Sequence, residues 1–305
     1  MSARQLGRVL VLVLGLGFTA TLNASAQTTR ALIVSGVSGE PRLAAQFERD
    51  VATMRSALAT RFGAATTVLT ESTAPKSDKA SITNALKSLA ASSKAGDQVL
   101  IVLVGHGSAQ SGGVRFNIPG PDITADDLAS SLAALDGRSV AVVVATSSSG
   151  AFIKPLEAPG RTIITATKHG GQNEEVVFAA HFAKALSDDV ADINKDGAVS
   201  LAEAFEYSKT EVARFYKQNN RIATEAAVLT GGNAGGFVLR APSAKASDPA
   251  VQRLFAERTA IEQNIAAHKA KKSSMPAEQY ESELEKLLLQ LATVERRIRA
   301  AEQKD

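Results

Sequence analysis

Apolar residues in this chain follow two patterns that alternate over roughly the first 240 positions. In one they form short unbroken runs. In the other they recur every third or fourth residue. Val99 to Val104 is apolar throughout and leads through Gly105 into His106-Gly107-Ser108. A run without alternation is what a strand covered on both faces requires. Val140 to Val144 has the same character, and these two runs predict the central strands of a sheet. Ala31 to Val37, Val68-Leu69 and Thr162 to Ala166 predict three more strands, and Val114 to Ile118 a short extended piece.

Between the runs the period changes. After Pro41, the residues Leu43, Phe47, Val51, Met54, Leu58 and Phe62 line one helical face. Ile82, Leu86 and Leu89 mark a second helix. Leu128, Leu132 and Leu135 mark a third, opened by Thr124 as cap with Asp126 and Asp127 in its first turn. Val176, Val177, Ala180 and Leu186 mark a fourth, and Tyr207, Val212 and Phe215 a fifth that runs to about Asn219. Phe237-Val238-Leu239 is expected as an edge strand. Strands alternating with helices predict an α/β fold, a mostly parallel central sheet with helices on both faces.

Ala241 to Ser247 reads as a small-residue linker, and the pattern beyond it differs. Asp248-Pro249 is a helix start. Val251, Leu254, Arg258, Ile261, Ile265 and His268 follow at heptad-like spacing, and so do Tyr280, Leu284, Leu287, Leu291, Val294 and Ile298. Residues 248–305 are therefore expected to form an antiparallel helical hairpin, a short coiled coil. Leu288 and Leu289 widen its second apolar face, so the hairpin is expected to dock on its own domain or to mediate self-association.

Composition changes the picture at the other end. Arg4 and Arg8, the apolar stretch Val9 to Leu22 and Ala24-Ser25-Ala26 read as a secretory signal peptide over residues 1–26. Its apolar core is short for a membrane span, so no stable membrane insertion is expected after cleavage. The expected location is the periplasm or the exterior. Loss of Arg4 and Arg8 lowers the formal charge from +3 to +1, which gives no support to nucleic-acid binding. The chain has no cysteine, so it has no disulfide, no thiol nucleophile and no cysteine metal site. The expected organisation is the signal peptide at 1–26, one α/β domain at 27–240, the linker at 241–247 and the hairpin at 248–305.

Two stretches carry candidate chemistry. The first is the pair of strand ends, Gly105-His106-Gly107 and Ser147-Ser148-Ser149-Gly150. In an open parallel sheet, ligands sit outside the carboxyl ends of the strands. This arrangement resembles the caspase–haemoglobinase fold, most closely the legumain-like cysteine peptidases. Those proteins carry Gly-His-Gly after one strand and Cys-x-Ser-Gly after the next. The interval of 41 positions from His106 to Ser147 holds one helix and one strand, as in that family, and Ile164 to Thr167 looks like the strand that follows the nucleophile. The resemblance covers about Arg30 to Tyr216. It implies a caspase-like fold, with His106 and Ser147 at the catalytic positions.

Ser147 stands where the family has its cysteine. A thiol with a pKa of about 8.5 readily yields a thiolate. A serine needs a histidine base, usually oriented by a carboxylate, together with an oxyanion hole. No orienting acid is identifiable: Asp122, Asp126, Asp127 and Glu174 read as surface or helix-start acids. His169, His181 and His268 read as loop, helix face and seam edge, and the four histidines have no metal-ligand spacing.

The second stretch is Asp192 to Glu203, which fits the twelve-residue EF-hand loop at its defining positions. Asp192, Asn194 and Asp196 would supply side-chain oxygens, Ala198 its backbone carbonyl, Ser200 a direct or water-mediated oxygen, and Glu203 a bidentate carboxylate. Gly197 permits the sharp turn. The expected cofactor is Ca2+, held in a structural role. Ser200 and Glu203 also read as a capping box for the next helix.

The leading expectation is an exported calcium-binding pseudo-peptidase of legumain-like fold, acting as a binding or scaffold protein for a protein or peptide partner. The first alternative is a serine-type hydrolase or endopeptidase using Ser147 and His106. The second is an assembly protein acting through residues 248–305.

Overall fold

The computed structural model describes residues 28–193, 197–240, 249–270 and 272–302. The signal peptide and the linker expected from sequence, and the loop residues Asn194 and Asp196, lie outside the described residues. Among the described residues no helix is long and apolar enough to cross a membrane.

In chain order the elements are β1 (Thr29–Ser35), α1 (Pro41–Thr60), β2 (Ala65–Leu69), α2 (Lys79–Ser92), β3 (Gln98–Gly105), β4 (Gly107–Gln110), β5 (Gly113–Phe116), β6 (Ile123–Thr124) and α3 (Ala125–Leu132). There follow β7 (Ser139–Thr146), α4 (Ile153–Leu156), β8 (Thr162–Thr165), α5 (Phe178–Ser187), β9 (Ala198–Ser200), α6 (Leu201–Gln218), β10 (Val228–Thr230) and β11 (Val238–Arg240). The last two helices are α7 (Pro249–Ala270) and α8 (Ala277–Glu302).

The main sheet has the order β10-β8-β7-β3-β1-β2. All pairings are parallel except that of β10 with β8. The fold is thus α/β with a mostly parallel central sheet. β3 and β7 occupy its centre, which is why their sequences are apolar without a break. The pleat divides their side chains between two cores. Leu100, Val102 and Val104 face α1, α5 and α6, whereas Val99, Ile101 and Leu103 face α2 and α3.

Helix ends follow local chemistry. The Asp78 side chain caps α2 by accepting from Ser81 N at 2.8 Å. Thr124 and Asp127 form a reciprocal capping box at α3. Hydrogen bonds from Lys79 and Thr124 hold the Asp127 carboxyl down at about 2. α5 lacks a cap of its own, and the loop after α6 provides one: Glu225 accepts from Val177 N at 2.8 Å and from Phe178 N at 3.3 Å. Burial nevertheless pushes this carboxyl up to about 7.

The structure corrects the sequence reading at three elements. The strand expected at Phe237 to Leu239 begins at Val238 and is not an edge of the main sheet: it pairs antiparallel with β9. The edge beside β8 is β10, three residues long and too short to show a period, and β2 is the other edge. The extended piece at Val114 to Ile118 is the middle of a separate sheet, β4-β5-β6. β2 is longer than Val68-Leu69, because its first residues lie at a sheet edge and alternate between exposed and half-buried.

α7 and α8 run antiparallel: Arg258 pairs with Glu295 at 3.5 Å and Arg297 with Glu257 at 3.1 Å, while at their other ends His268 stacks on Tyr280. Ile261, Ile265, Val294 and Ile298 form their shared core, flanked by Leu254, Leu284, Leu287 and Leu291. His268 is buried rather than at the seam edge. It stacks on Tyr280 at 4.8 Å, and its Nε2 lies 2.9 Å from Tyr280 O. Leu288 and Leu289 stay exposed.

Candidate functional site

The carboxyl ends of β1, β3, β7 and β8 meet at one edge of the sheet. Gly105 pairs with Thr146, so His106 and Ser147 are the next residues of neighbouring strands. The two chains approach closely there. A Cβ at Gly107 would lie 2.4 Å from Ser147 O, and one at Gly150 would lie 2.2 Å from the Lys168 backbone. Both positions therefore require glycine.

His106 is half-buried. Its Nε2 lies 3.2 Å from Ser38 O, in the loop after β1. A bond to a carbonyl requires the proton on Nε2, which leaves the lone pair of the neutral ring on Nδ1. The ring stands edge-on to Phe47 of α1, with centroids 5.6 Å apart. The cavity beside it, lined by Leu43, Gln46, Phe47, Glu175 and Val176, holds about 10 Å³. That is room for one water and no more.

Ser147 is buried, and its hydroxyl is engaged on both sides by one residue. Oγ donates to Gly107 O at 3.0 Å and accepts from Gly107 N at 3.1 Å. No hydrogen bond joins His106 and Ser147. Ser148 differs from its neighbours. Its backbone is left-handed, with φ of 54° and ψ of 11°, and its buried hydroxyl has no hydrogen-bond partner. Its N–H donates to Gln172 O at 2.7 Å, beneath the loop that follows β8. Ser149 lies 3.1 Å from the Thr167 hydroxyl and accepts from Thr167 N at 2.9 Å. The serine run is therefore stitched to the Ile164 to Thr167 stretch.

Among the described residues no carboxylate is hydrogen-bonded to His106. Asp122 accepts from Asn117 Nδ2 at 3.0 Å and from Ile118 N at 3.2 Å. Asp127 is held in its capping box. Glu175 shares the cavity with His106 but pairs with Arg42 at 2.7 Å. Ser38, Phe47, Glu175 and Gln172 complete this edge. Sequence reasoning missed all four as site residues, because each lies on another element and follows no motif.

The second candidate site lies at the other end of the sheet, where α5 ends and α6 begins. Asp192 is buried, and its Oδ2 accepts from Gly197 N at 3.0 Å. Gly197 has φ of 78°, the left-handed turn that the loop needs. Ala198 to Ser200 is strand β9. Ser200 caps α6, and Glu203 Oε2 accepts from Ser200 N at 2.9 Å and from Ser200 Oγ at 2.7 Å. Four of the six expected ligand positions are described, and their backbone follows the turn–strand–helix course of a calcium loop. Among the described residues no three histidine or carboxylate side chains converge there as a metal-holding group. The chain before the loop is less regular: a 3₁₀ turn at Asp189–Ala191 replaces a continuous helix.

No known family profile matches the chain, and no curated protein matches it. Solved structures similar to it include caspases. The drICE structure is 12% identical with a TM-score of 0.43, covering 68% of this chain and 88% of that one. Caspase-1 from Spodoptera frugiperda is 12% identical with a TM-score of 0.46, covering 67% and 86%. The Drosophila initiator caspase Dronc is 11% identical with a TM-score of 0.44, covering 67% and 79%. Similarity at this level speaks to neither chemistry nor substrate.

Proposed function

We propose that this chain is a calcium-binding pseudo-peptidase, a legumain-like architecture in which the hydrolytic chemistry is lost and the domain serves as a binding scaffold for a protein or peptide. The observation that carries this reading is the engagement of Ser147 Oγ by both backbone groups of Gly107. A serine nucleophile must pass its proton to a base as it attacks. Here the proton is directed at a carbonyl, while His106 spends its Nε2 on Ser38 O. Among the described residues, the acids nearest His106 are engaged elsewhere: Asp122 with Asn117 and Ile118, Glu175 with Arg42. Export and calcium occupancy belong to the same reading, supported by the residue pattern at 1–26 and by the loop at 192–203.

The test is turnover of a panel of fluorogenic peptides and an acetyl ester by the purified protein, with and without millimolar calcium, beside Ser147→Ala. The reading requires no turnover above the uncatalysed rate in either protein. Turnover lost in Ser147→Ala sinks it.

A second reading, a serine hydrolase, draws on Ser148 rather than Ser147. A strained non-glycine backbone with an unpartnered buried hydroxyl at a strand-to-helix turn is a feature that functional sites tolerate. Turnover that survives Ser147→Ala and disappears in Ser148→Ala would favour it.

A further inference from the structure

The calcium loop is a single one, so nothing of its own kind braces it. The fold supplies a brace from elsewhere in the chain. Ala198 and Ser200, which would offer the carbonyl and hydroxyl ligands, are the ends of β9, and the partner of β9 is β11. Ala198 pairs with Arg240, Val199 with Leu239 and Ser200 with Val238. The same segment reaches the start of α6, which carries Glu203. Leu201 N donates to Phe237 O at 3.0 Å, and Ala202 N donates to Ala234 O at 3.2 Å. These are amides at a helix N-terminus, which lack partners within the helix. Residues 234–240 thus hold the backbone from Ala198 to Ala202, through a ladder on one side and helix-end bonds on the other.

This segment is itself fixed to the domain. Phe237, Leu239 and Val199 are wholly or almost wholly buried in the core shared by α5 and α6. With its amide turned to satisfy its neighbours, Gln98 at the start of β3 accepts from Val238 N at 2.9 Å and donates to Val238 O at 3.0 Å. Beyond Arg240, only eight residues lead to Pro249 and the hairpin.

We propose that β11 preorganises the metal loop, and that calcium in return clamps β11, the strand from which the C-terminal hairpin hangs. The inference rests on the calcium reading above and adds a second site to it. Coupling of this kind is reciprocal: whatever factor β11 contributes to calcium affinity, calcium contributes to β11 docking. Couplings between linked sites typically correspond to about 5- to 150-fold in affinity. A three-residue ladder plus two helix-end bonds should lie in the lower half of that range. The ion would act as a latch between the sheet domain and the segment leading to the hairpin, at the end of the sheet remote from His106 and Ser147.

The experiment has two arms on the full chain. Calorimetric titration with calcium chloride compares the wild type with Leu239→Ala and with Leu288→Ala, an exposed position on the hairpin. Hydrogen exchange of the wild type, with and without calcium, reads the amides of residues 234–240 directly. The inference predicts calcium binding weakened at least fivefold by Leu239→Ala and unchanged by Leu288→Ala. It also predicts exchange in 234–240 slowed at least fivefold by calcium. Calcium binding that slows exchange only within 192–203 overturns the inference and leaves the calcium reading intact. No calcium binding in the wild type overturns both. If Leu239→Ala does not fold, the wild-type exchange comparison decides alone.

Discussion

Asp50 offers the sharpest quantitative test of the packing around the candidate site. It lies on α1, three residues after the Phe47 that meets His106, and is only 8% exposed. Its Oδ2 has no hydrogen-bond partner. Burial raises its pKa from 3.8 to about 6, and nearby Arg49 offsets this only in part. A carboxyl whose folded pKa is raised favours the folded state most when it is protonated. Its contribution is complete below 3.8 and is lost as pH climbs through about 6. One pKa unit is worth about 1.4 kcal/mol, so the displacement amounts to about 3 kcal/mol at pH 8. Asp50→Asn keeps the shape and the polar burden but removes the charge. Urea denaturation of both proteins from pH 4 to pH 8 should show curves that separate as pH rises. The variant should gain about 3 kcal/mol relative to wild type over that interval. The comparison uses the separation of the curves, since the buried amide adds a constant of its own. Parallel curves would refute the claim that Asp50 is desolvated and unpaired.

Three further outcomes follow from the same structure. Glu225→Gln should flatten the wild-type loss of stability between pH 4.5 and about 7, because that raised carboxyl also favours the fold only while protonated; denaturation midpoints across that range check this. Gly107→Ala should cost about 3 kcal/mol or more in denaturant unfolding, since its Cβ would meet backbone rather than a yielding side chain. Ser147→Ala should cost about 1–2 kcal/mol by the same measurement, through the loss of bonds to buried Gly107 N and O, with no accompanying loss of turnover.

How far these features were legible depends on how local their causes are. The centre of the sheet was plain in Val99 to Val104 and Val140 to Val144, because burial on both faces leaves no room for polar residues. α1 and the seam of the hairpin were plain because their large apolar residues recur every third or fourth position along one face. The cap at Thr124 and the capping box at Ser200 were readable because their partners lie within three residues. Edges were not. β2 and β10 have little buried surface, and β11 is defined by its partner rather than by its own residues. The strand-end motifs placed His106 and Ser147 side by side, but whether they bond each other depends on Ser38 and Gly107. The Ser38 carbonyl comes from another strand end, and the Gly107 backbone carries no side-chain signal. Asp50 carries no sequence signal of its burial, since it is a charged residue beside Val51, yet α1 turns it inward. Glu225 was missed because it caps a helix that begins 47 residues earlier.

Ser147 is the residue on which the loss of hydrolysis turns. The most direct measurement is reaction of the purified protein with a fluorophosphonate probe, read by peptide mass spectrometry across residues 139–154. The account predicts that Ser147 stays unmodified under conditions that fully label a known serine hydrolase. A phosphonyl adduct on Ser147 that is lost in His106→Ala would contradict it, because only a hydroxyl released from Gly107 and served by that histidine could react.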